Sequence, residues 1–213
     1  QRLPDDQPEA LAKASSNAVR MEIVPIRSVI NLRGTAADES LITDVQRAVG
    51  MELPLMPNRW HGDDCMAAAW LGPDEWLLVA RGGEAEEIEQ AIRELRPADP
   101  WLSLVDVSHS YTCVRLAGSH SRDLIAAGCA LDLDPSSFHA GHCAQTLLAR
   151  AQVLLRALDG NDSFEIWVRN SFARYLIQWL LDATTRTAVE AHRRGHGFFF
   201  VQFPGRGYDE TVN

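Results

Sequence analysis

One stretch of this chain occurs twice. Residues 50–65 read GMELPLMPNRWHGDDC, and residues 128–143 read GCALDLDPSSFHAGHC. Six of the sixteen aligned positions are identical (Gly, Leu, Leu, Pro, His and Cys), where average composition gives roughly one. Trp60 aligns with Phe138, which keeps an aromatic ring in both copies. The flanks agree as well: VINLRG at 29–34 matches CVRLAG at 113–118, and WLLV at 76–79 matches FEIWV at 164–168. Each copy reads as an apolar strand, a Gly, a short helix, a Gly, the repeated loop, more strand and a helix. Such a repeat predicts two halves about a pseudo-twofold axis with one shared core. The expected fold class is α+β, built from internally duplicated β-α-β-β-α-type units.

The local pattern places the elements. Residues 28–33 read as the first strand. Asp38 and Glu39 open a helix at the end where carboxylates suit the helix dipole. Leu41, Ile42, Val45, Ala48 and Val49 form its apolar stripe, and Gly50 stops it. Residues 66–71 and 76–80 form a hairpin around the Gly-Pro-Asp-Glu turn at 72–75. A helix follows, with Ile88, Ile92 and Leu95 inward. Residues 97–100 carry two prolines and divide the halves, about 20–97 and 101–182. In the second half, 111–116 reads as strand, 119–127 as a short helix capped by Ser119, and 145–158 with 163–169 as strands joined by an Asp-Gly-Asn-Asp turn. The last helix starts near Ser171, with Phe172, Tyr175, Leu176, Trp179 and Leu180 as its apolar face. Residues 1–19 read as an N-terminal arm and 183–213 as a C-terminal tail.

Composition excludes several classes of function. The 213 residues are 46% hydrophobic, enough for a sizeable core in one or two domains. A net charge of −9 argues against nucleic acid and against an anionic membrane surface. No run approaches the ~18–20 apolar residues of a membrane span, and no basic start precedes an apolar signal core. Four cysteines without a C-x-x-C pair suit reduced thiols in the cytoplasm.

The order of several motifs resembles known proteins. VDVSH at 105–109, YTCVRLAG at 111–118 and RDLI at 122–125 resemble the folate-binding domain of the glycine-cleavage T-protein, an aminomethyltransferase. CALDL at 129–133, CAQTLLA at 143–149, QVLL at 152–155, SFARYL at 171–176 and LGPDEWLLV at 71–79 resemble the gamma subunits of heterotetrameric sarcosine oxidases. The resemblance covers residues 20–182. It implies a T-protein-like folate-binding fold in a non-catalytic, structural subunit, with alpha, beta and delta subunits as partners. The implied complex demethylates sarcosine, or another N-methyl amine, to yield glycine, hydrogen peroxide and 5,10-methylenetetrahydrofolate. FAD, FMN, NAD, tetrahydrofolate and zinc are then expected in the other subunits, and none in this chain. One departure matters: where the T-protein carries an acidic pair, this chain has Leu154 and Leu155. Leucine neither accepts a proton nor holds a cation, so no catalytic residue is expected here. The alternative is a stand-alone folate-binding protein related to aminomethyltransferases.

Other constellations have plainer readings. His61, Cys65, His139 and Cys143 make a tetrahedral zinc set only if the axis joins the two loops; otherwise each pair fills its own half. Cys113 lies mid-strand and reads as core. Asp106, Ser108 and His109 lie too close in sequence for a triad, and Asp106 with Ser108 reads as a backbone turn. Phe198, Phe199, Phe200 and Phe203, with Arg193 and Arg194 before them, form the candidate partner-binding segment. Buried aromatics and arginines dominate interface energetics.

Overall fold

The computed structural model describes residues 19–25, 28–80, 85–160 and 162–193. The described residues form two five-stranded antiparallel sheets and four α-helices. The first sheet contains β2 (Ser28–Arg33), β3 (Trp60–Gly62), β4 (Met66–Gly72), β5 (Glu75–Ala80) and β6 (Ser103–Asp106), in the order β3-β4-β5-β2-β6. The second contains β1 (Arg20–Val24), β7 (Tyr111–Ala117), β8 (Cys143–Leu148), β9 (Ala151–Ala157) and β10 (Ser163–Arg169), in the order β1-β7-β10-β9-β8. The helices are α1 (Glu39–Val49), α2 (Ala85–Leu95), α3 (Ser121–Ala126) and α4 (Asn170–Arg193). This is the expected α+β class.

The apolar alternation of the strands sorts these elements into four layers. Ile30, Leu32, Trp76 and Leu78 pack with Leu41, Val45 and Ile92 of α1 and α2. The opposite face of the same strands carries Val29, Leu77 and Val79, which meet Cys113, Leu154 and Trp167 of the second sheet. Val114, Leu155, Phe164 and Ile166 then face α3 and α4. The order is helices, sheet, sheet, helices.

α1 forms where the sequence expects it. Asp38 accepts bonds from the Ser40 and Leu41 N–H groups, and Gly50 closes the helix at φ 73°, a left-handed position that favours glycine. Arg96 ties this cap to the end of α2, reaching Asp38 at 2.8 Å, Asp99 at 2.5 Å and Asp44 at 3.6 Å. The Ser40 hydroxyl, the Leu41 N–H and Arg96 hold the Asp38 carboxyl at about 2, below its ordinary 3.8. A carboxyl pKa depressed in the folded state stabilises the fold fully above the unfolded value, and the contribution is lost as pH falls through the folded one. Arg96→Ala is therefore expected to lower the melting temperature at neutral pH and to flatten the loss of stability between about pH 4 and pH 2. Thermal unfolding across that window measures both effects, and parallel curves for the two proteins would refute the link.

Four local expectations change. The run 145–158 is two strands, β8 and β9, turning at Ala149 (φ 53°). No Gly, Pro or Asn marks this turn, so periodicity alone does not find it. α3 starts at Ser121 with His120 at its N-cap and no capping side chain, rather than with Ser119. The buried stripe of α4 is Ala173, Leu176, Ile177 and Leu180, while Phe172 and Tyr175 are 47% and 39% exposed. Ala173 is small enough for the helix to approach the sheet closely, and that rotates the larger rings outward. α4 also continues past Asp182 to Arg193.

Two strands lie where a linear reading does not put them. β1 pairs with β7 in the second sheet, although it precedes β2 in the chain. β6 follows residues 97–100 and still pairs with β2 in the first sheet. The strand that leads each half is thus hydrogen-bonded in the other sheet.

Candidate functional site

The two sheets meet along a seam made by the repeated loops. Arg59 and His142 form an isolated antiparallel bridge. The Trp60 N–H donates to Gly141 O at 3.0 Å, and the Cys143 N–H donates to Asn58 O at 2.9 Å. The Trp60 side chain crosses the seam: Nε1 donates to Ala157 O at 2.8 Å, and the Arg156 guanidinium lies 4.1 Å over its ring.

A buried charge network stands behind the seam. Glu165 is 0% exposed and Arg156 is 3% exposed. Glu165 accepts from Arg115 Nη2 at 2.8 Å and from Trp167 Nε1 at 3.2 Å, and it pairs with Arg156 Nη1 at 3.4 Å. Arg115 also reaches Asp64 at 3.1 Å. The sequence reading passed over these residues. The available signal was a lone charge at an inward position of an apolar strand, Arg156 in β9 and Glu165 in β10.

Next to this network the inter-sheet layer opens into a cleft of about 400 Å³. Leu71 and Leu77 line it from the first sheet; Tyr111, Leu154, Trp167 and Arg169 line it from the second. Gln145, Thr146, Leu147, Gln152 and Val153 complete its wall. Tyr111 and Trp167 meet edge to face with centroids 6.5 Å apart, and the Arg169 guanidinium stacks 4.4 Å over Tyr111. Burial raises the Tyr111 hydroxyl above its ordinary value. Arg169 is the charged residue of the lining, and no carboxylate lines the cleft among the described residues. Leu154 faces this cleft, whereas Leu155 is buried against the helices.

The zinc reading has no ligand set. The seam does bring the loops together, but the repeat that aligns Cys65 with Cys143 does not hold in space. Cys65 sits exposed in the turn after β3, and Cys143 is the first, buried residue of β8. No group of three or more His, Cys, Asp or Glu among the described residues is placed to hold a metal ion. Cys143 Sγ donates to Arg59 O at 3.2 Å, and burial pushes its thiol up to about 11. Cys113 is buried between the sheets, as expected for a core thiol. Asp106 and Ser108 turn the backbone: Asp106 accepts from the Ser108 N–H at 2.8 Å, and Ser108 Oγ accepts from the Val29 N–H at 2.9 Å. Of the four thiols, only Cys65 is exposed. A thiol reagent at pH 8 is expected to label one cysteine rapidly in the native chain and all four after unfolding. Two fast-reacting thiols in the native chain would contradict the buried positions.

Arg194, Phe198, Phe199, Phe200 and Phe203 are outside the described residues, and so is the side chain of Arg193. No helix among the described residues is long and apolar enough to cross a membrane.

Comparison with known proteins matches this architecture. The sequence model of the sarcosine oxidase, gamma subunit family aligns with residues 33–186. A sarcosine oxidase subunit gamma from Corynebacterium sp. (strain P-1) is 29% identical over 184 residues, covering 85% of this chain and 88% of that protein. An aminomethyltransferase from Saccharopolyspora erythraea is 28% identical over 113 residues, covering 53% of this chain and 30% of that protein. Among solved structures, a chain of the heterotetrameric sarcosine oxidase from Corynebacterium sp. U-96 superimposes with a TM-score of 0.77 at 27% identity, covering 85% of this chain and 92% of that one. The chain whose two sheets meet at this seam belongs to the sarcosine oxidase gamma subunit family.

Proposed function

We propose that this chain is the non-catalytic, structural subunit of a cytoplasmic, flavin-dependent sarcosine oxidase that forms glycine, hydrogen peroxide and 5,10-methylenetetrahydrofolate. Alpha, beta and delta subunits are its partners, and they hold FAD, FMN, NAD, tetrahydrofolate and zinc. The observation that carries this reading is the likeness over nearly the whole length of a chain from a heterotetrameric sarcosine oxidase. Leu154 supports it from the site, because an apolar side chain faces the cleft where the T-protein resemblance expects an acid.

The duplicated architecture belongs to the same reading. The reciprocal bonds from Trp60 to Gly141 and from Cys143 to Asn58 suit a pseudo-twofold axis through the Arg59–His142 bridge. The exchange of β1 and β6 between sheets suits it too. Residues 20–182 then act as one duplicated unit.

Native mass spectrometry of complexes captured through the tagged chain tests the assignment. Four unlike subunits with flavin absorbance are expected, and a colourless monomer would refute it. Arg193, Arg194, Phe198, Phe199, Phe200 and Phe203 are proposed as partner contacts. Deleting residues 197–213 is expected to reduce the captured complex at least tenfold, as loss of an aromatic anchor does; unchanged capture would remove the segment from the interface. The cleft favours one second reading, a stand-alone folate-binding protein, because aromatic walls enclose about 400 Å³ there. Micromolar binding of reduced folate to the isolated chain is what that reading requires.

A further inference from the structure

Among the described residues, the outer edge of β8 is paired only at its start. Cys143 donates its N–H outward to Asn58 O, and β8 is the terminal strand of its sheet. Backbone groups in a strand repeat every two residues. Those of Gln145 and Leu147 therefore point the same way, past the last bond to residues 58–60, and no strand pairs with them among the described residues; the Gln145 side chain donates to Leu71 O of β4 at 2.8 Å. Leu147 is 54% exposed at this edge and also lines the cleft between the sheets. A strand edge with no paired neighbour among the described residues, beside a cleft of mixed polar and apolar lining, is the arrangement used for strand addition: main-chain bonds supply affinity and alternate side chains enter the pocket.

We propose that the outer edge of β8, which no described strand pairs, and the adjoining cleft receive an extended segment of another subunit. The segment adds as a strand alongside Gln145 and Leu147, in line with the existing Asn58–Trp60 pairing. It places one apolar or aromatic side chain between Tyr111, Trp167 and Leu154, and a carboxylate against Arg169. The charge follows from the lining. Arg169 has no ion-pair partner among the described residues, and its guanidinium, stacked on Tyr111, presents a planar donor edge that forks onto a carboxylate. A segment of another chain is the occupant because the solved relative is one chain of a heterotetramer; a segment of this chain's own would protect the β8 edge equally in the free chain and in the complex.

This inference rests on the subunit reading above, and the test separates the two. Wild-type, Leu147→Arg and Leu147→Pro chains, each tagged, are used to capture the complex. Leu147 is exposed and its N–H points outward, so proline there leaves the β8–β9 ladder intact and blocks only an added strand. Both variants are expected to recover at least tenfold less complex, with unfolding midpoints unchanged. In the wild-type complex the amides of Gln145 and Leu147 are expected to exchange at least tenfold more slowly than in the free chain. Equal exchange in both states, or full capture by both variants, overturns the docking site and leaves the subunit reading standing. A small organic molecule released from the denatured complex, with these amides unprotected, overturns it too and gives the cleft to a ligand. A wild-type chain that captures no other subunit overturns both.

Discussion

Glu165→Leu is expected to lower the unfolding free energy by about 3–5 kcal/mol, the usual result of removing one partner from a buried ion pair. The carboxylate is fully enclosed and serves Arg115, Arg156 and Trp167 together. Arg115 keeps Asp64 as a second anion at 3.1 Å. Arg156 is only 3% exposed, so Glu165→Leu takes a carboxylate from a cation that stays buried beside the Trp60 ring. Replacing Arg156 as well, by methionine, removes the stranded charge and is expected to recover much of the loss, because an apolar pair of similar volume is often neutral. Urea unfolding of the purified chain measures all three proteins. A Glu165→Leu midpoint equal to wild type would mean that the network contributes nothing.

Trp60→Ala is the other large effect, expected at about 3–5 kcal/mol from lost burial and the cavity left behind. Trp60 belongs to a three-residue strand and is 7% exposed, yet it joins both sheets through its main chain, its indole N–H and its ring. Trp60→Phe keeps the ring and loses the donor. Its expected cost is about 1 kcal/mol, because Ala157 O still accepts from the Gly141 N–H at 3.3 Å. Trp60 and Glu165 both act on Arg156, so the double variant should depart from additivity by about 0.5–3 kcal/mol. Additive losses would separate the ring from the network.

Much of the fold is legible in the sequence because it is locally encoded. The cap at Asp38, the stop at Gly50 and the hairpin at residues 72–75 each rest on residues within a few positions of one another. The β8–β9 turn was missed because Ala149 and Arg150 are not turn formers, and an apolar run without punctuation reads as one strand. The face of α4 was misread because ring size counted for more than fit; Ala173 is buried and Phe172 is not. The cleft was partly legible. Leu154 was singled out as a departure from an acidic position, but its neighbours Tyr111, Trp167 and Arg169 come from other strands.

The sequence by itself determined the class, the local caps and turns, and the family that its motifs resemble, and it carries the repeat of residues 50–65 at 128–143. All of these depend on residue identity and on spacing along the chain. Only the tertiary structure decided that β1 and β6 exchange sheets, that the repeated loops meet at Arg59 and His142, and that Arg156 and Glu165 are sealed between the sheets. Strand pairing joins residues far apart in sequence, and side-chain alternation says which face is buried but not which sheet buries it.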